Sequence, residues 1–263
     1  MTAPKISVII PSYNKVKYIK KTLDSIVGQN YKNYEVIIED GGSTDGTLEI
    51  IKRYARKYPK IINFRSGKDE GQLDVINKGL KKATGDIVTF INADDTYIGE
   101  TFESVAGYYL ENPDALWFAG KCKIIDNDNE EIAKFWTFCK NILLRLNYYN
   151  ILLLTSNYMS QPSVFLTKRA YRKYGPFIGN KKFVYEYDLW LKLGKVKMPI
   201  IINKYLSCFR ISSDNISSVL YNDLFEFDIN VVKKNTNNQF AVIAHKLNNF
   251  IRIIVRKMLS RPF

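Results

Sequence analysis

The sequence predicts an α/β fold with a largely parallel sheet, followed by a basic helical tail. In the first third of the chain, short apolar runs alternate with segments of helical periodicity, the pattern of strand–helix–strand units. Hydrophobic residues make up 46% of the 263 residues and charged residues 25%, so the chain can bury a core without disulfides or metals. Residues 230–263 contain seven basic side chains and no acidic one.

Predicted strands and helices alternate in order through the first third. Residues 6–10 are an apolar run that ends at Pro11, as is typical of a buried parallel strand. In residues 15–29 apolar side chains recur at helical spacing, with lysines on the opposite face. By the same criteria we predict, in order, a strand at 35–39, a helix at 45–58, a strand at 61–64, a helix at 72–82 and a strand at 86–91.

The remaining two thirds of the chain are less regular. Predicted strands are residues 115–120, 123–126, 132–136, 163–166, 200–203 and 206–210. Predicted helices are residues 167–174 and 187–193, whereas residues 141–154 form either a helix or a mobile connection. Because no internal repeat or low-complexity linker interrupts the chain, we expect one globular domain that ends in the basic tail.

Charge and rare residues limit the function classes. The 39 Lys and Arg against 26 Asp and Glu give a net charge of +13, which attracts nucleotide phosphates or an anionic membrane. The basic residues are dispersed and no nucleic-acid-binding motif occurs, so we expect no nucleic acid partner. Cys122, Cys139 and Cys208 lack metal-ligand spacing, and His245 is the only histidine. No apolar run is long enough to span a bilayer, so we expect a cytoplasmic protein, soluble or peripheral at the inner face of the membrane.

Acidic residues stand where predicted strands end, the edge at which open α/β sheets bind ligands. Asp40 follows the second strand in a segment rich in glycine, serine and threonine. Its carboxylate either accepts a hydrogen bond from uracil, thymine or guanine, or only closes a turn. Asp94 and Asp95 follow the fourth strand. Adjacent carboxylates suit Mg²⁺ or Mn²⁺, which bridges a diphosphate, and the alternative is a solvated turn.

A third acidic pair, Glu186 and Asp188, begins the predicted helix at residues 187–193. A carboxylate at a helix start is often only an N-cap. In a cleft it acts instead as a general base that takes the proton of an acceptor hydroxyl. The residues alone leave both interpretations open.

The order of these segments resembles glycosyltransferase family 2, inverting enzymes with the GT-A fold. The resemblance covers about residues 5–215, and its matching segments are residues 7–14, 42–47, 70–79, 83–86, 92–95, 161–165 and 187–191. It implies a mixed central sheet in a GT-A domain at 1–218, with a Rossmann-like nucleotide-sugar half at about 1–98 and an acceptor half at about 99–218. A helical extension follows at 219–263.

By this resemblance the donor is a nucleotide-diphospho-sugar, with a UDP-sugar favoured, and the cofactor is Mn²⁺ or Mg²⁺. Asp40 would hold the base, in a pocket lined by Pro11 and Tyr13. Asp94 would contact the ribose or the metal, and Asp95 would bind the metal beneath the diphosphate. The other donor-binding positions that it implies are Asn14, Ser43, Gln72, Asn77, Asn92 and Ala93.

Two positions depart from the family pattern. Glu186 stands where the family usually has the aspartate of its base motif, so either Glu186 or Asp188 is the base. Ser212 stands about where many relatives have a histidine, which completes the metal shell in some of them. The implied enzyme is a metal-dependent hexosyltransferase or a related transferase that moves a sugar to an acceptor hydroxyl in polysaccharide, glycolipid or glycoprotein-glycan biosynthesis.

Other functions fit the residues less well. A sugar-nucleotide nucleotidyltransferase would carry a glycine-rich phosphate loop after the first strand, where this chain has residues 11–14. A dehydrogenase would carry GxGxxG, which is absent, and a catalytically weak sugar-nucleotide-binding relative stays open. We therefore expect a nucleotide-sugar donor and a glycan or lipid-linked acceptor. Residues 249–263 combine apolar and basic side chains in a pattern that suits an anionic membrane surface, packing on the domain, or a homodimer.

Overall fold

The computed structural model describes residues 3–147, 150–179, 185–212 and 221–259, with the backbone alone at 221–224 and 255–259. Its strands are β1 (Ile6–Ser12), β2 (Tyr34–Asp40), β3 (Ile62–Ser66), β4 (Ile87–Phe90), β5 (Thr96–Tyr97), β6 (Trp117–Ile125), β7 (Val164–Thr167) and β8 (Ile200–Arg210). In the described part of the chain they form one sheet in the order β3-β2-β1-β4-β7-β6-β8-β5. Strands β1 to β4 run parallel, whereas β7 is antiparallel to both β4 and β6. The sheet is therefore mixed, as expected.

Helices cover both faces of this sheet. They are α1 (Ile19–Val27), α2 (Thr47–Lys57), α3 (Gln72–Lys82), α4 (Thr101–Glu111), α5 (Lys134–Arg145), α6 (Asn150–Thr155), α7 (Lys168–Tyr174), α8 (Tyr185–Val196), α9 (Tyr221–Asn235) and α10 (Gln239–Leu259). Helices α1, α2 and α4 pack with one core, and α3 and α5 to α10 pack with the other. Within β1, Ile9 points into the second core while Val8 and Ile10 point into the first, so β1 is apolar on both faces as a buried parallel strand requires.

The parallel strands bring their carboxyl ends to one edge. Ser12 at the end of β1 is opposite Asp40 at the end of β2, and Asp40 is opposite Ser66 at the end of β3. Strand β4 lies on the other side of β1, so the segment that begins at Asn92 leaves the sheet at the same edge. The predicted acidic positions Asp40 and Asp94 therefore follow β2 and β4, the two strands that lie on either side of β1.

Some predicted elements need correction. The strand at residues 132–136 is wrong, because α5 begins at Lys134 and only Glu131 makes a bridge, to Ile125. The apolar side chains Phe135, Phe138 and Ile142 follow helical spacing, which outweighs the short alternation before them. The pairs of short strands at 115–126 and 200–210 are single strands, β6 and β8, residues 141–154 contain parts of two helices, and α4 and β5 were not predicted.

The basic tail consists of two helices that pack on the domain. Asn238 caps α10, since its Oδ1 accepts hydrogen bonds from the backbone N–H groups of Phe240 and Ala241 at 2.9 and 3.2 Å. Helix α9 packs against α8, and α10 packs against α6 and α9. The predicted boundary at 218/219 falls in residues 213–220, outside the described residues. None of the helices in the described ranges combines the length and apolarity needed to cross a membrane.

Candidate functional site

The loop after β1 contacts both the segment that follows Asp40 and the segment that contains Asp94. The backbone N–H of Asn14 donates to Ser43 Oγ at 2.9 Å, and Asn14 Oδ1 accepts from the backbone N–H of Thr44 at 2.9 Å. The next residue, Lys15, places its ammonium 2.7 Å from Asp94 Oδ2. Pro11 is buried in β1, whereas Tyr13 at the tip of the loop is 60% exposed. This loop therefore bridges the Asp40 segment and the Asp94 segment.

Asp40 is a buried carboxylate at the end of β2. One oxygen accepts from Ser43 Oγ at 2.5 Å. The other accepts from Ser66 Oγ at 2.6 Å and from the backbone N–H groups of Ser43 and Gly42 at 3.0 and 3.2 Å. Asp40 thus shapes its own loop. The N–H group of a nucleobase would donate to the Asp40 carboxylate together with these groups, or would take the place of the Ser66 hydroxyl.

Gly41, next to Asp40, leaves space for the side chains of two residues from other loops. A Cβ atom at this position would lie 2.5 Å from Asp69 Oδ2 and 3.3 Å from the ring of Tyr13, so a larger residue would displace the Asp69 carboxylate. Asp69 therefore lies at the same edge as Asp40 and Tyr13. Asp69 is not among the predicted site residues, because the predicted third strand ends at Phe64 and the polar loop after it carries no motif.

Asp95 is fully buried and takes part in a chain of polar contacts. Its Oδ1 accepts from the backbone N–H of Arg210 at 2.8 Å, and its Oδ2 accepts from Asn92 Nδ2 at 3.3 Å. Gln72 Nε2 in turn donates to Asn92 Oδ1 at 2.7 Å. Burial raises the pKa of Asp95 well above its usual value and Asp94 adds to the rise, while the bonds from Arg210 and Asn92 act against it. Three predicted positions, Gln72, Asn92 and Asp95, are thus brought together.

Arg210, at the end of β8, holds the acidic turn in place. Its side chain is buried, its Nε donates to the backbone oxygen of Asp94 at 2.8 Å, and its Nη2 donates to Asn129 Oδ1 at 2.7 Å. The guanidinium also lies 5.2 Å from the centre of the Tyr18 ring. No pattern in the sequence separates this arginine from an ordinary residue at the end of a strand, because its partners are far away along the chain.

The donor set at Asp94 and Asp95 fits a hard divalent cation. Mg²⁺ is commonly held by one or two carboxylates together with waters and substrate phosphates, and a buried aspartate with a raised pKa beside a second aspartate is a site that a cation would stabilise. In residues 3–147, 150–179, 185–212 and 221–259, no group of three or more His, Cys, Asp or Glu could hold a metal alone. Ser212 is buried just after β8. Asp94, Asp95 and ligand phosphates would therefore share such a cation.

Asn77 and Ala93 are placed differently from the other predicted positions. Both polar atoms of Asn77 bond to the backbone of Phe177: Nδ2 donates to its oxygen at 2.9 Å and Oδ1 accepts from its N–H at 3.0 Å. The observed contacts of Asn77 therefore fasten α3 to the segment after α7, and its contact with the donor stays a prediction. Ala93 is buried in the turn between Asn92 and Asp94 and packs in the core with α1, α2 and α4, so its contact with the donor also stays a prediction.

Asp188 lies near the start of α8 and is fixed by three side chains. Its carboxylate is 2% exposed, 2.5 Å from the ammonium of Lys192 and 3.5 Å from that of Lys234, and it accepts from Asn235 Nδ2 at 2.8 Å. Burial acts to raise the pKa of Asp188, but the bonds from Lys192 and Asn235 and the charge of Lys234 outweigh it and lower the pKa below its usual value. Asp188 is thus a stable anion that ties α8 to α9.

Glu186, two residues earlier, has the opposite environment. Its side chain is partly exposed, and burial of the carboxyl, with a further contribution from Asp228, raises its pKa to about 7. The ring of the preceding Tyr185 lies 6.3 Å from that of Phe90 at the end of β4. The start of α8 therefore lies beside the strand that leads to Asn92. A carboxyl with this pKa can accept a proton near neutral pH.

Comparison with known proteins identifies the family of most of this chain. The family described as Glycosyl transferase family 2 matches residues 7–175. An uncharacterised glycosyltransferase of Rickettsia typhi is 24% identical over 254 residues, which is 95% of this chain and 78% of that protein. A PGL/p-HBAD biosynthesis glycosyltransferase of Mycobacterium bovis is 36% identical over 113 residues, 43% of this chain. The chain thus spans less than half of the length of this second relative, 44% of it.

Solved structures share the fold at low identity. S. aureus TarS 1–349 in complex with UDP-GlcNAc superposes with a TM-score of 0.70 at 20% identity, over 93% of this chain and 72% of that one. The mannosyltransferase PcManGT from Pyrobaculum calidifontis, in complex with GDP-Man and Mn²⁺, gives a TM-score of 0.73 at 16% identity, over 100% and 77%. These likenesses confirm the GT-A fold that the sequence predicts.

Proposed function

Because the chain belongs to glycosyl transferase family 2, we propose that it moves a sugar from a nucleotide-diphospho-sugar to an acceptor hydroxyl with inversion at the anomeric carbon. The observation that carries this proposal is the difference between the two carboxylates of α8. Asp188 is held as an anion by Lys192, Lys234 and Asn235, whereas Glu186 is partly exposed with a pKa of about 7. Its partial exposure and its pKa both favour Glu186 as the base.

In this reaction Glu186 takes the proton of the acceptor hydroxyl. The acceptor oxygen forms a bond to the anomeric carbon while the bond from that carbon to the diphosphate oxygen breaks on the opposite side. A divalent cation, Mn²⁺ or Mg²⁺, held by Asp94 and Asp95, would offset the negative charge of the departing diphosphate. Arg210 and Asn92 hold the Asp95 carboxylate in a fixed orientation for this task.

We infer a UDP-sugar as donor from the Asp40 pocket. A buried carboxylate there accepts a hydrogen bond from the imide N–H of uracil, whereas cytosine presents an acceptor at the same position. Tyr13, exposed beside Gly41, offers an aromatic face on which a base can stack. Guanine N1–H is the competing donor to Asp40, so the test includes both nucleotides.

We further propose a glycan or lipid-linked acceptor in cell-envelope biosynthesis, with the enzyme peripheral at the inner face of the cell membrane. One relative is named for PGL/p-HBAD biosynthesis.

Helix α10 buries Ala241, His245 and Asn249 but leaves a second apolar stripe exposed: Phe240, Ile243, Leu247, Phe250, Ile251 and Ile254. Helix α5 exposes another stripe: Phe135, Phe138, Ile142 and Leu146. Such faces on a cationic chain favour an anionic lipid surface.

The charge argues against a second copy as the occupant of these stripes. Each chain carries a net charge of +13, so two copies repel each other, whereas anionic headgroups attract the chain. The side chains beyond Ile254, which the sequence analysis included in the amphipathic pattern, lie outside the described residues. A homodimer is the alternative outcome of the membrane test below.

The proposed activity is tested with UDP-, GDP- and CDP-sugars in the presence of Mn²⁺, Mg²⁺ or a chelator, by following both melting temperature and release of nucleoside diphosphate. A UDP-sugar should raise the melting temperature only with metal, and free UDP should form slowly. Asp95→Asn keeps an acceptor for the Arg210 N–H but removes the negative charge. In this variant the metal-dependent rise in melting temperature with a UDP-sugar should be lost. Binding without turnover would favour a catalytically weak relative, and no binding to any sugar nucleotide would contradict the proposal.

A further inference from the structure

Lys140 is a lysine on the inner side of α5. The exposed stripe of this helix faces away from the domain, while Thr137 and Leu144 are buried on the other side, and the helical spacing places Lys140 with them. Its ammonium donates to Ser160 Oγ at 2.8 Å. Among the residues that the structure describes, no carboxylate lies within ion-pair distance of Lys140.

The surroundings of Lys140 do not balance its charge. Burial lowers its pKa to about 8, and the like charge of Arg252 on α10 acts in the same direction. The nearby Cys122 thiol is no counter-ion, because burial raises its pKa to about 11. Lys140 is partly exposed, so a negative ligand can reach its ammonium, which has no anionic partner among the described residues.

Contacts around Ser160 locate this ammonium at the ligand-binding edge of the sheet. Ser160 directly precedes the 3-10 turn Gln161–Ser163, in which Gln161 Nε2 donates to the backbone oxygen of Phe90 at 2.5 Å. Phe90 ends β4, two residues before Asn92. The other polar atom of Gln161, Oε1, is buried and has no hydrogen-bond partner. The Lys140 ammonium thus lies on the side of the site that faces α5.

We propose that Lys140 binds a phosphate group of a substrate in this site. The inference rests on the proposed function, and a phosphate oxygen would reach Lys140 from one of two sources: the diphosphate of the donor or the phosphate of a lipid-linked acceptor. In both cases the ammonium forms a charge-assisted hydrogen bond, which the hydroxyl of Ser160 does not replace. Lys140 is then a binding residue for the reaction that Glu186 and Asp95 serve.

The test measures binding to the full chain by calorimetry, with no turnover required. UDP is compared with uridine, and farnesyl phosphate with farnesol, for the wild type, Lys140→Met and Lys140→Arg. Lys134→Met is the matched control, because Lys134 begins the same helix but is exposed. Lys140→Met should weaken one of the two phosphate ligands by about tenfold or more, leave uridine and farnesol unchanged, and be rescued largely by Lys140→Arg.

Each outcome decides between sources or overturns the inference. Loss of UDP binding alone assigns Lys140 to the donor diphosphate, and loss of farnesyl phosphate binding alone assigns it to the acceptor. Unchanged binding of both phosphates, equal losses in Lys134→Met, or a wild type that binds neither phosphate would overturn the proposal. If Lys140→Met fails to fold, Lys140→Gln takes its place and melting temperatures verify the fold. Phosphate binding through Lys140 without any sugar transfer would contradict the proposed function alone.

Discussion

At the scale of single residues, Glu186 and Asp188 differ through their neighbours and not through their chemistry. Replacing Glu186 by Gln should lower turnover by about 10²–10⁴-fold and leave donor binding, measured by calorimetry, nearly unchanged. With a pKa of about 7, wild-type activity should fall as the pH decreases through 7, because the protonated carboxyl cannot accept the acceptor proton. Full activity of Glu186→Gln would remove Glu186 from the mechanism.

The same shift predicts a stability signature that separates the two carboxylates. The folded-state pKa of Glu186 is about 7 against an ordinary value of 4.5, so the folded state loses stability as the pH rises between these values. The melting temperature of Glu186→Gln relative to the wild type should therefore be higher at pH 8 than at pH 4. Asp188→Asn is the matched control, because a lowered pKa stabilises the fold at neutral pH and that stabilisation is lost in acid.

We expect Asp40 to determine the nucleotide preference. Asp40→Ala should weaken UDP binding by about 1–3 kcal/mol, the scale of a hydrogen bond to a charged group, and should abolish any preference for UDP over CDP. The buried bonds to Gly42, Ser43 and Ser66 would be lost as well, so the melting temperature should fall. Ser66→Ala separates the two effects, since it removes one loop bond but keeps the carboxylate. Equal wild-type affinity for UDP and CDP would take Asp40 out of the base pocket.

The aspartates at the strand ends can be predicted from the sequence, because the end of an apolar strand is a local feature. Asp40, Asp94 and Asp95 each follow an apolar run, and the edge of the sheet brings them together. Lys15 and Arg210 were not predictable, because their bonds to the Asp94 turn span 79 and 116 residues of sequence. Asn77 is a motif position whose observed contacts the sequence does not predict. Its side-chain amide forms hydrogen bonds with the backbone of Phe177, 100 residues away along the chain.

At the scale of elements, periodicity decides what sequence can predict. Helix α3 was predicted with its observed bounds, because its apolar spacing is continuous from Gln72 to Lys82. The sequence favours a strand at the start of α5, because a window of five residues cannot distinguish strand alternation from a helix whose apolar side faces solvent. Helix α4 was missed since its aromatic and apolar residues do not form one narrow stripe.

The clamp between α8 and α9 gives a prediction at this scale. Asp188 accepts from Asn235 Nδ2 at 2.8 Å, and both residues are buried, so Asn235→Ala leaves a buried anion with fewer partners and should lower the melting temperature. In a double-mutant cycle, Asp188→Asn and Asn235→Ala should couple by about 0.5–3 kcal/mol in the free energy of unfolding. Asn238→Ala, which removes a cap of α10 but not the clamp, is the control. Additive effects of the two clamp substitutions would contradict the clamp.

At the scale of the whole molecule, α10 connects α8 to an exposed apolar surface. His245 of α10 stacks on Tyr187, with ring centres 5.8 Å apart, and Tyr187 directly follows Glu186. Removing α10 would therefore expose the core beside Glu186, the proposed base, and a loss of folding could then be mistaken for a loss of membrane binding. Substitutions on the exposed stripe avoid this problem, because the side chains they change make no part of the core.

We expect the full chain to float with vesicles that contain anionic phospholipid at low salt, and less at high salt, because screening weakens attraction between the +13 chain and the headgroups. A variant with serine at Phe240, Leu247 and Phe250, which are 83%, 60% and 59% exposed, keeps the charge but loses apolar area, so it should float less at an unchanged melting temperature. The equivalent α5 variant, with serine at Phe135 and Phe138, determines whether the second stripe contributes. Equal flotation of the α10 variant and the wild type, or no flotation of the wild type at low salt, would contradict membrane association. A concentration-dependent dimer that the serine substitutions dissolve would instead assign the stripe to a second copy of the chain.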